Sequence, residues 1–231
     1  SIYFAAAVQG VSVLGGTGSD SLFFNSTVTS STIFGGTDSA SLFSVAGAMS
    51  ATTIVGGSGS DSLVFNGITT GASIRGGDGA DSLYFGGLQT ADTLSGGAGN
   101  DTLWFAASAG TNTNVGIVAA SQILGGAGND YIYFSAQQTN GANATTYYFG
   151  YDSGTDTLAI GTTTSTSTGL VIAYSDTYGS ATTSVVTSGS NAIYSVTSGG
   201  VTTNVAYVTG SASTNITMVS VAQSSITTLG G

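Results

Sequence analysis

Five turns of this chain place an aspartate after a glycine-rich stretch, in the order Gly-Gly-x-Gly-x-Asp. The aspartates of these turns are Asp20, Asp61, Asp81, Asp101 and Asp130. Glycine has no side chain, so the backbone carbonyl oxygens next to each carboxylate stay accessible. Carboxylate and carbonyl oxygens are the ligands that hard cations such as Ca²⁺ take in proteins. The turns therefore predict a series of cation sites, one for each copy of the motif.

The glycine pairs recur at a nearly fixed interval along the first part of the chain. The six pairs that open the turns begin at Gly15, Gly35, Gly56, Gly76, Gly96 and Gly125, with steps of 20, 21, 20, 20 and 29 residues. A period of this size is typical of proteins whose successive coils stack on one another. The sequence therefore predicts an all-β fold, a parallel β-roll or β-solenoid with coils of about 20 residues.

Two strands per coil are predicted from the positions of the apolar residues. After each turn, apolar residues alternate with others, which is the period of a strand. These alternating pairs are Leu22 and Phe24, Leu63 and Phe65, Leu83 and Phe85, Leu103 and Phe105, and Ile132 and Phe134. A second strand supplies one inward residue per coil, namely Val13, Ile33, Ile54, Ile74, Leu94 and Ile123. Neighbouring coils are expected to bury these residues, since no coil can do so alone.

The tandem motif resembles the nonapeptide of the RTX (repeats-in-toxin) family, Gly-Gly-x-Gly-x-Asp-x-apolar-x. The resemblance extends from about Gly15 to Ile160. It implies that aspartates and turn carbonyls of adjacent coils share Ca²⁺ as the cofactor. The ligand residues that it implies are Asp20, Asp61, Asp81, Asp101, Asp130 and Asp156, with the first glycines Gly15, Gly56, Gly76, Gly96 and Gly125. Asp156, like Asp152, belongs to a degenerate seventh turn that also fits an ordinary turn without an ion.

Two features depart from the family pattern. In the family the motifs follow one another every nine residues and place ions on both edges of the roll. Here the motif occurs once per coil of about 20 residues, so a single column of ions on one edge is expected. The second turn contains Asp38 where the motif has glycine and Ala40 where it has aspartate. Asp78, an additional acid in the fourth turn, is expected to be solvated.

Composition restricts the function classes. Lys and Arg together number 1, Asp and Glu together 11, and the formal net charge is −10. No basic patch can form, which excludes nucleic acid as a partner. The chain has no His, Cys or Lys, so it lacks the usual bases of nucleophilic catalysis and the usual zinc ligands. We therefore expect no enzyme activity in this chain.

Calcium dependence predicts the compartment. Extracellular calcium modules bind at about 10⁻⁴–10⁻³ M, well above cytosolic free calcium. The repeat region is expected to be unfolded without calcium and to fold as it binds, at the cell surface or beyond it. The RTX resemblance implies export by type I secretion.

The chain has no uninterrupted apolar run of about 18 residues, so no membrane span is predicted. Ser1–Phe4 matches the strand Ser82–Phe85, so the chain is expected to be a fragment that begins within a repeat.

The chain divides at about residue 160 by its composition. Residues 1–160 are predicted to form the solenoid, and residues 161–231 an antiparallel sheet that caps it. The strands predicted in this second region are Leu170–Ser175, Thr182–Ser188, Asn191–Thr197, Val201–Thr209 and Asn215–Ala222. Ser and Gly between the central strands indicate hairpin connections.

An aromatic strip is predicted on the outer face of the strands that follow the turns. Its members are Phe23, Phe43, Tyr84, Trp104 and Tyr133, with Val64 between them. Outer positions of a sheet normally carry polar groups. The strip therefore indicates a surface for a partner or for self-association. Stacking between coils that only stiffens the solenoid is the alternative.

Together these features favour an extracellular, calcium-dependent structural protein, a self-assembling component of a surface layer or matrix. Low charge, abundant Ser, Thr, Ala and Gly, and the apolar outer strip support this hypothesis. Two alternatives stay open. The chain could be a calcium-stiffened adhesin stalk, or the C-terminal RTX module of a secreted enzyme or toxin.

Overall fold

The computed structural model describes residues 1–37, 39–106, 118–135, 145–148, 156–160, 170–175, 182–188, 191–198, 201–209 and 217–221. All regular elements in these ranges are β-strands, so the all-β class is confirmed. No helix long and apolar enough to cross a membrane occurs within these residues.

Three parallel sheets form the sides of a solenoid. Sheet A contains β1 (Ile2–Phe4), β4 (Ser21–Phe24), β7 (Leu42–Val45), β10 (Ser62–Phe65), β13 (Ser82–Phe85), β16 (Thr102–Phe105), β19 (Tyr131–Phe134) and β21 (Asp156–Ile160). Sheet B contains β2 (Val8–Gln9), β5 (Val28–Thr29), β8 (Met49–Ser50), β11 (Thr69–Thr70), β14 (Gln89–Thr90) and β17 (Val118–Ala119). Sheet C contains β3 (Ser12–Leu14), β6 (Thr32–Gly36), β9 (Thr53–Ser58), β12 (Ser73–Asp78), β15 (Thr93–Ala98), β18 (Gln122–Ala127) and β20 (Thr145–Tyr148).

The third side of the coil is a difference from the sequence prediction. Sheet B lies between the two strands predicted for each coil, and each of its strands has only two residues. In-register parallel pairing, such as Val28 with Met49, makes these short segments a continuous sheet. Each coil therefore has three sides, and the glycine-rich turns form the corner between sheets C and A.

Apolar residues at matching positions stack along the solenoid axis. Leu63, Leu83 and Leu103 are Cα partners in consecutive strands and are fully buried. The rings of Phe65, Phe85, Phe105 and Phe134 form a stacked column with centroid separations of 5.2, 4.9 and 5.0 Å. Offset aromatic stacking at this distance adds to the gain from burial. This column fixes the register that brings the turn aspartates above one another.

The second coil is shifted by one residue relative to the sequence prediction. Its step of 21 residues pairs Ser21 with Leu42 and Leu22 with Phe43. A shift of one residue turns every side chain of a strand to the opposite face. Phe43 is therefore 0% exposed and belongs to the core, whereas Ser44 takes the outer position. The prediction that Phe43 belongs to the outer aromatic strip is wrong.

The C-terminal strands lie close to their predicted positions, but only three of them form the expected antiparallel sheet. These are β23 (Thr182–Ser188), β24 (Asn191–Ser198) and β25 (Val201–Thr209). β25 also pairs in parallel with β21, which joins the hairpins to sheet A. β22 (Leu170–Ser175) and β26 (Thr217–Val221) extend sheet C in parallel. The predicted solenoid with an antiparallel C-terminal sheet is confirmed, and the domain division at residue 160 stays a prediction.

Candidate metal column

A ladder of aspartates runs along the corner where sheet C ends and sheet A begins. In each coil from the second onward, the backbone amide of the ladder residue donates to Oδ1 of the aspartate in the next coil. The N–O distances are 2.6 Å from Ser41 to Asp61, 2.7 Å from Asp61 to Asp81, 2.8 Å from Asp81 to Asp101, 2.8 Å from Asp101 to Asp130, and 3.0 Å from Asp130 to Asp156. All five of these carboxylates are buried. The ladder brings the predicted aspartates to one edge.

The second oxygen of most ladder carboxylates has no partner. The buried Oδ2 atoms without a hydrogen bond belong to Asp20, Asp61, Asp81, Asp101 and Asp130. A buried charge without a partner is strongly unfavourable. The chain has one basic side chain, Arg75, which lies on the outer face of sheet C and cannot neutralise a column. These oxygens therefore require a bound cation or a proton.

The first glycine of each motif provides the space beside the free oxygen. A β-carbon on Gly15 would lie 2.7 Å from Asp20 Oδ2 and would overlap the carbonyl oxygen of Gly35. The same convergence of an Oδ2 with a carbonyl oxygen from the next coil occurs at Gly56, Gly76 and Gly96. At Gly125 the three nearest atoms all belong to Asp130. Oxygen atoms from two coils thus meet at four glycines, as a hard cation requires.

The donor set suits calcium better than transition metals. Among the residues that the structure describes, no three His, Cys, Asp or Glu side chains come together. A cation beside a ladder aspartate would therefore take its remaining ligands from backbone carbonyls. Ca²⁺ accepts six to eight oxygen ligands in flexible geometry, including carbonyls. Asp20, Asp61, Asp81 and Asp101 would hold it together with the turn backbone, and bound Ca²⁺ would supply the positive charge that the column lacks.

Burial raises the pKa values of the buried aspartates in the column. It raises the pKa of Asp61 from 3.8 to about 6, against the lowering effect of the hydrogen bond from Ser41. Burial likewise raises the pKa of Asp101 and of Asp130 to about 7, and neighbouring carboxylates add to the increase. The pKa of Asp81 is raised mainly by burial as well. Protons and metal ions therefore compete for the same oxygens.

A comparison with protein families matches the same turns. The family model of the RTX calcium-binding nonapeptide repeat, in 4 copies, matches residues 73–89, 87–104 and 120–138. The chain carries RTX repeats. RTX nonapeptide repeats bind Ca²⁺, so the predicted cofactor is confirmed. A search of curated proteins found no match to this chain. The individual ligand residues stay predictions.

The second glycine turn contains no carboxylate at the ladder position, but the residue there is not the one predicted. Ser41, rather than Ala40, occupies the place of the aspartate, because Leu42 N donates to Asp20 O as Ser62 N does to Ser41 O. Ala40 is exposed. The Oγ of Ser41 is buried without a partner. Asp38 and Asp152 lie outside the described residues.

Asp156 differs from the other aspartates of the RTX column. Its Oδ1 accepts from Asp130 N, and its Oδ2 accepts from the hydroxyl of Tyr147. Tyr147 is fully buried at a sheet C position where the previous coil has Ile123. Burial, and next the charge of Asp156, raise the pKa of Tyr147 well above its usual range, which keeps the phenol a donor. Both oxygens of Asp156 are thus satisfied within the protein.

Replacement of Tyr147 by phenylalanine is expected to destabilise the last described coil. Tyr147→Phe leaves Asp156 Oδ2 buried without a donor, which costs about 1–3 kcal/mol. Denaturant unfolding in saturating calcium measures the loss. Tyr148→Phe, on the outer side of the same strand, is the matched control and should change stability by less than about 0.5 kcal/mol. Equal stabilities for the two variants would show that the Tyr147 hydroxyl contributes nothing.

A second polar ladder, at the corner between sheets B and C, was not predicted. Its members Ser31, Thr52, Asp92 and Ser121 each follow a residue with positive φ. Asp92 Oδ1 accepts from Ala72 N at 2.7 Å, and its Oδ2 accepts from the hydroxyl of Thr69. Burial raises the pKa of Asp92. The available signal was a small residue followed by Ser, Thr or Asp. Ser31, Thr52 and Asp92 each lie 11 residues after the ladder position of their turn, whereas Ser121 lies 20 residues after Asp101. Asp92 serves this corner and has no free oxygen for the RTX column.

Proposed function

We propose that this chain is a calcium-dependent structural protein of the cell exterior that assembles into a surface layer or matrix. The observation that carries the proposal is the column of buried, unpartnered Oδ2 oxygens in a chain whose single basic side chain, Arg75, cannot neutralise them. Calcium would link neighbouring coils at the four turns where an aspartate oxygen meets a carbonyl oxygen of the next coil, and would stiffen the solenoid there. Nothing in the described residues resembles a catalytic site, and the proposal assigns the chain no enzyme activity.

The calcium requirement supports a location outside the cell. RTX repeat proteins are typically secreted. Sites built from one carboxylate per coil and backbone carbonyls carry few charges, and low ligand charge places affinity in the weak, extracellular range of about 10⁻⁴–10⁻³ M. The chain would remain unfolded during export and would fold where calcium is abundant.

The outer aromatic strip is the proposed contact surface between copies. As corrected by the structure, the strip consists of Phe23, Val64, Tyr84, Trp104 and Tyr133. Trp104, which lies between Tyr84 and Tyr133 in the strip, is 47% exposed. Its ring lies 6.5 Å from that of Tyr84 and 5.1 Å from that of Tyr133, measured between centroids. These contacts stiffen the strip but leave much of the indole exposed, and large exposed aromatic groups mark contact sites.

Electron microscopy of the calcium-loaded protein tests the proposed assembly. Lattices or filaments are expected for the native chain. Trp104→Ala should abolish them while the protein still binds calcium, because it removes the most exposed ring of the strip. Thr70→Ala, on the outer face of sheet B, is the control and should assemble normally. Monodisperse rods from the native chain would refute assembly and favour the adhesin stalk.

A further inference from the structure

The second coil replaces two residues of the RTX pattern together. Its ladder position holds Ser41 in place of aspartate. Two residues later, at the inward position of sheet A, it holds Phe43. The equivalent residues of the other coils are Leu22, Leu63, Leu83, Leu103 and Ile132. The smaller polar residue and the larger apolar residue thus occur in the same coil.

The Phe43 ring approaches the first glycine of its turn, as a carboxylate does in the other coils. A β-carbon on Gly35 would lie 2.9 Å from both Cε2 and Cζ of Phe43, and it would overlap the carbonyl oxygen of Gly56. At Gly15, Gly56 and Gly76 the atom in the place of the ring is an aspartate Oδ2. The space beside the first glycine is therefore occupied in the second coil as well, but by carbon.

We propose that Phe43 is an aromatic plug that takes the place of an ion, so that the column is divided into an isolated site at Asp20 and a continuous series from Asp61 onward. This inference rests on the proposed calcium binding. The coil with the plug has no carboxylate at its ladder position, and that position therefore needs no cation. It forms a calcium-independent junction between the two parts.

The division has a consequence for coupling between sites. Coils are about 4.8 Å apart, so Asp20 and Asp61 are separated by about 10 Å, which is close to the Debye length at 0.1 M salt. Neighbouring aspartates of the continuous series are half as far apart. Calcium at Asp20 is therefore expected to be coupled to the ion at Asp61 more weakly than the ions at Asp61, Asp81 and Asp101 are coupled to one another.

Removal of the plug tests the proposal. Ser41→Asp combined with Phe43→Leu restores the pattern of the other coils and should bind one more calcium ion per chain than the native protein. Native mass spectrometry across a calcium titration measures the number. Ser41→Asp with Phe43 retained, and Ser41→Asn with Phe43→Leu, are the controls. Neither should gain an ion, because the first keeps the ring and the second lacks the charge.

The reverse exchange gives a second readout. Asp81→Ser with Leu83→Phe should lose one ion and unfold at a temperature at least about 4 °C above that of Asp81→Ser alone in calcium, since the ring fills the emptied space. An equal or lower temperature would refute the plug, as would an unplugged variant that folds but gains no ion. A native chain that binds no calcium would refute the proposed function itself.

Discussion

Chelation of calcium near neutral pH is expected to abolish the strand signal of the repeat region. Adjacent carboxylates of the column are about 5 Å apart, and their repulsion is about 3 kcal/mol per pair at an effective dielectric near 20. A folded domain is stable by only about 5–15 kcal/mol. The summed repulsion of several unneutralised pairs, such as Asp61 with Asp81 and Asp81 with Asp101, is therefore as large as the free energy of unfolding or larger. Calcium reverses the sign of each interaction.

Far-ultraviolet circular dichroism with a chelator, followed by titration with calcium, measures this dependence. The strand spectrum should disappear and return with calcium in the millimolar range. Magnesium at the same concentration is the control and should restore less, because it gives up its water ligands reluctantly and requires stricter geometry. A strand spectrum that persists unchanged in chelator would refute calcium-dependent folding.

Protonation of the ladder aspartates at acidic pH is expected to stabilise the fold in the absence of calcium. The pKa of Asp61 is raised by burial to about 6 in the folded state, and the pKa values of Asp101 and Asp130 to about 7, from an ordinary value of 3.8. The folded state therefore binds protons more tightly than the unfolded chain, and this contribution to stability is complete below about pH 4. It is lost as the pH rises through 6 to 7. The protein without calcium should fold at about pH 4 and unfold toward neutral pH.

Thermal unfolding in chelator, measured at intervals from about pH 4 to pH 8, shows whether stability falls as the pH rises. No His or Glu titrates in this range, so the aspartates dominate the profile. Asp101→Asn should flatten the profile because it removes one titrating group of the ladder. Asp78→Asn is the control, since Asp78 is exposed, lies outside the ladder and only adds to the raised pKa of Asp81. Its profile should depart from the native one less than that of Asp101→Asn. Stability that rises from pH 4 to pH 7 without calcium would contradict the account.

The period of the glycine turns was sufficient to predict the stacked coils and the edge that carries the aspartates. Equivalent residues of stacked coils must lie above one another, so the alignment of Asp61, Asp81 and Asp101 follows from the period alone. The two-residue strands of sheet B were not predicted, because segments such as Val28–Thr29 are too short to show alternation. Their pairing arises only from the stacking of whole coils.

Other features depended on contacts that a pattern does not contain. One additional residue in the second turn places Phe43 in the core and Ser41 in the ladder. The repeat pattern does not indicate at which position of a coil an additional residue is accommodated. The hydrogen bond from Tyr147 to Asp156 joins two residues nine positions apart that no shared motif connects. In the C-terminal region, alternation predicted the strands β22 and β26 but not their parallel partners, since alternation defines a face and not a neighbour.

A crystal structure of the calcium-loaded protein, with an anomalous difference map, tests the central claim most directly. Peaks are expected beside Gly15, Gly56, Gly76 and Gly96, each within about 2.3–2.6 Å of an aspartate Oδ2 and a carbonyl oxygen from the next coil. No peak is expected beside Gly35. Stacked coils with no metal density at these four glycines would contradict the claim that calcium joins the coils through the aspartate ladder.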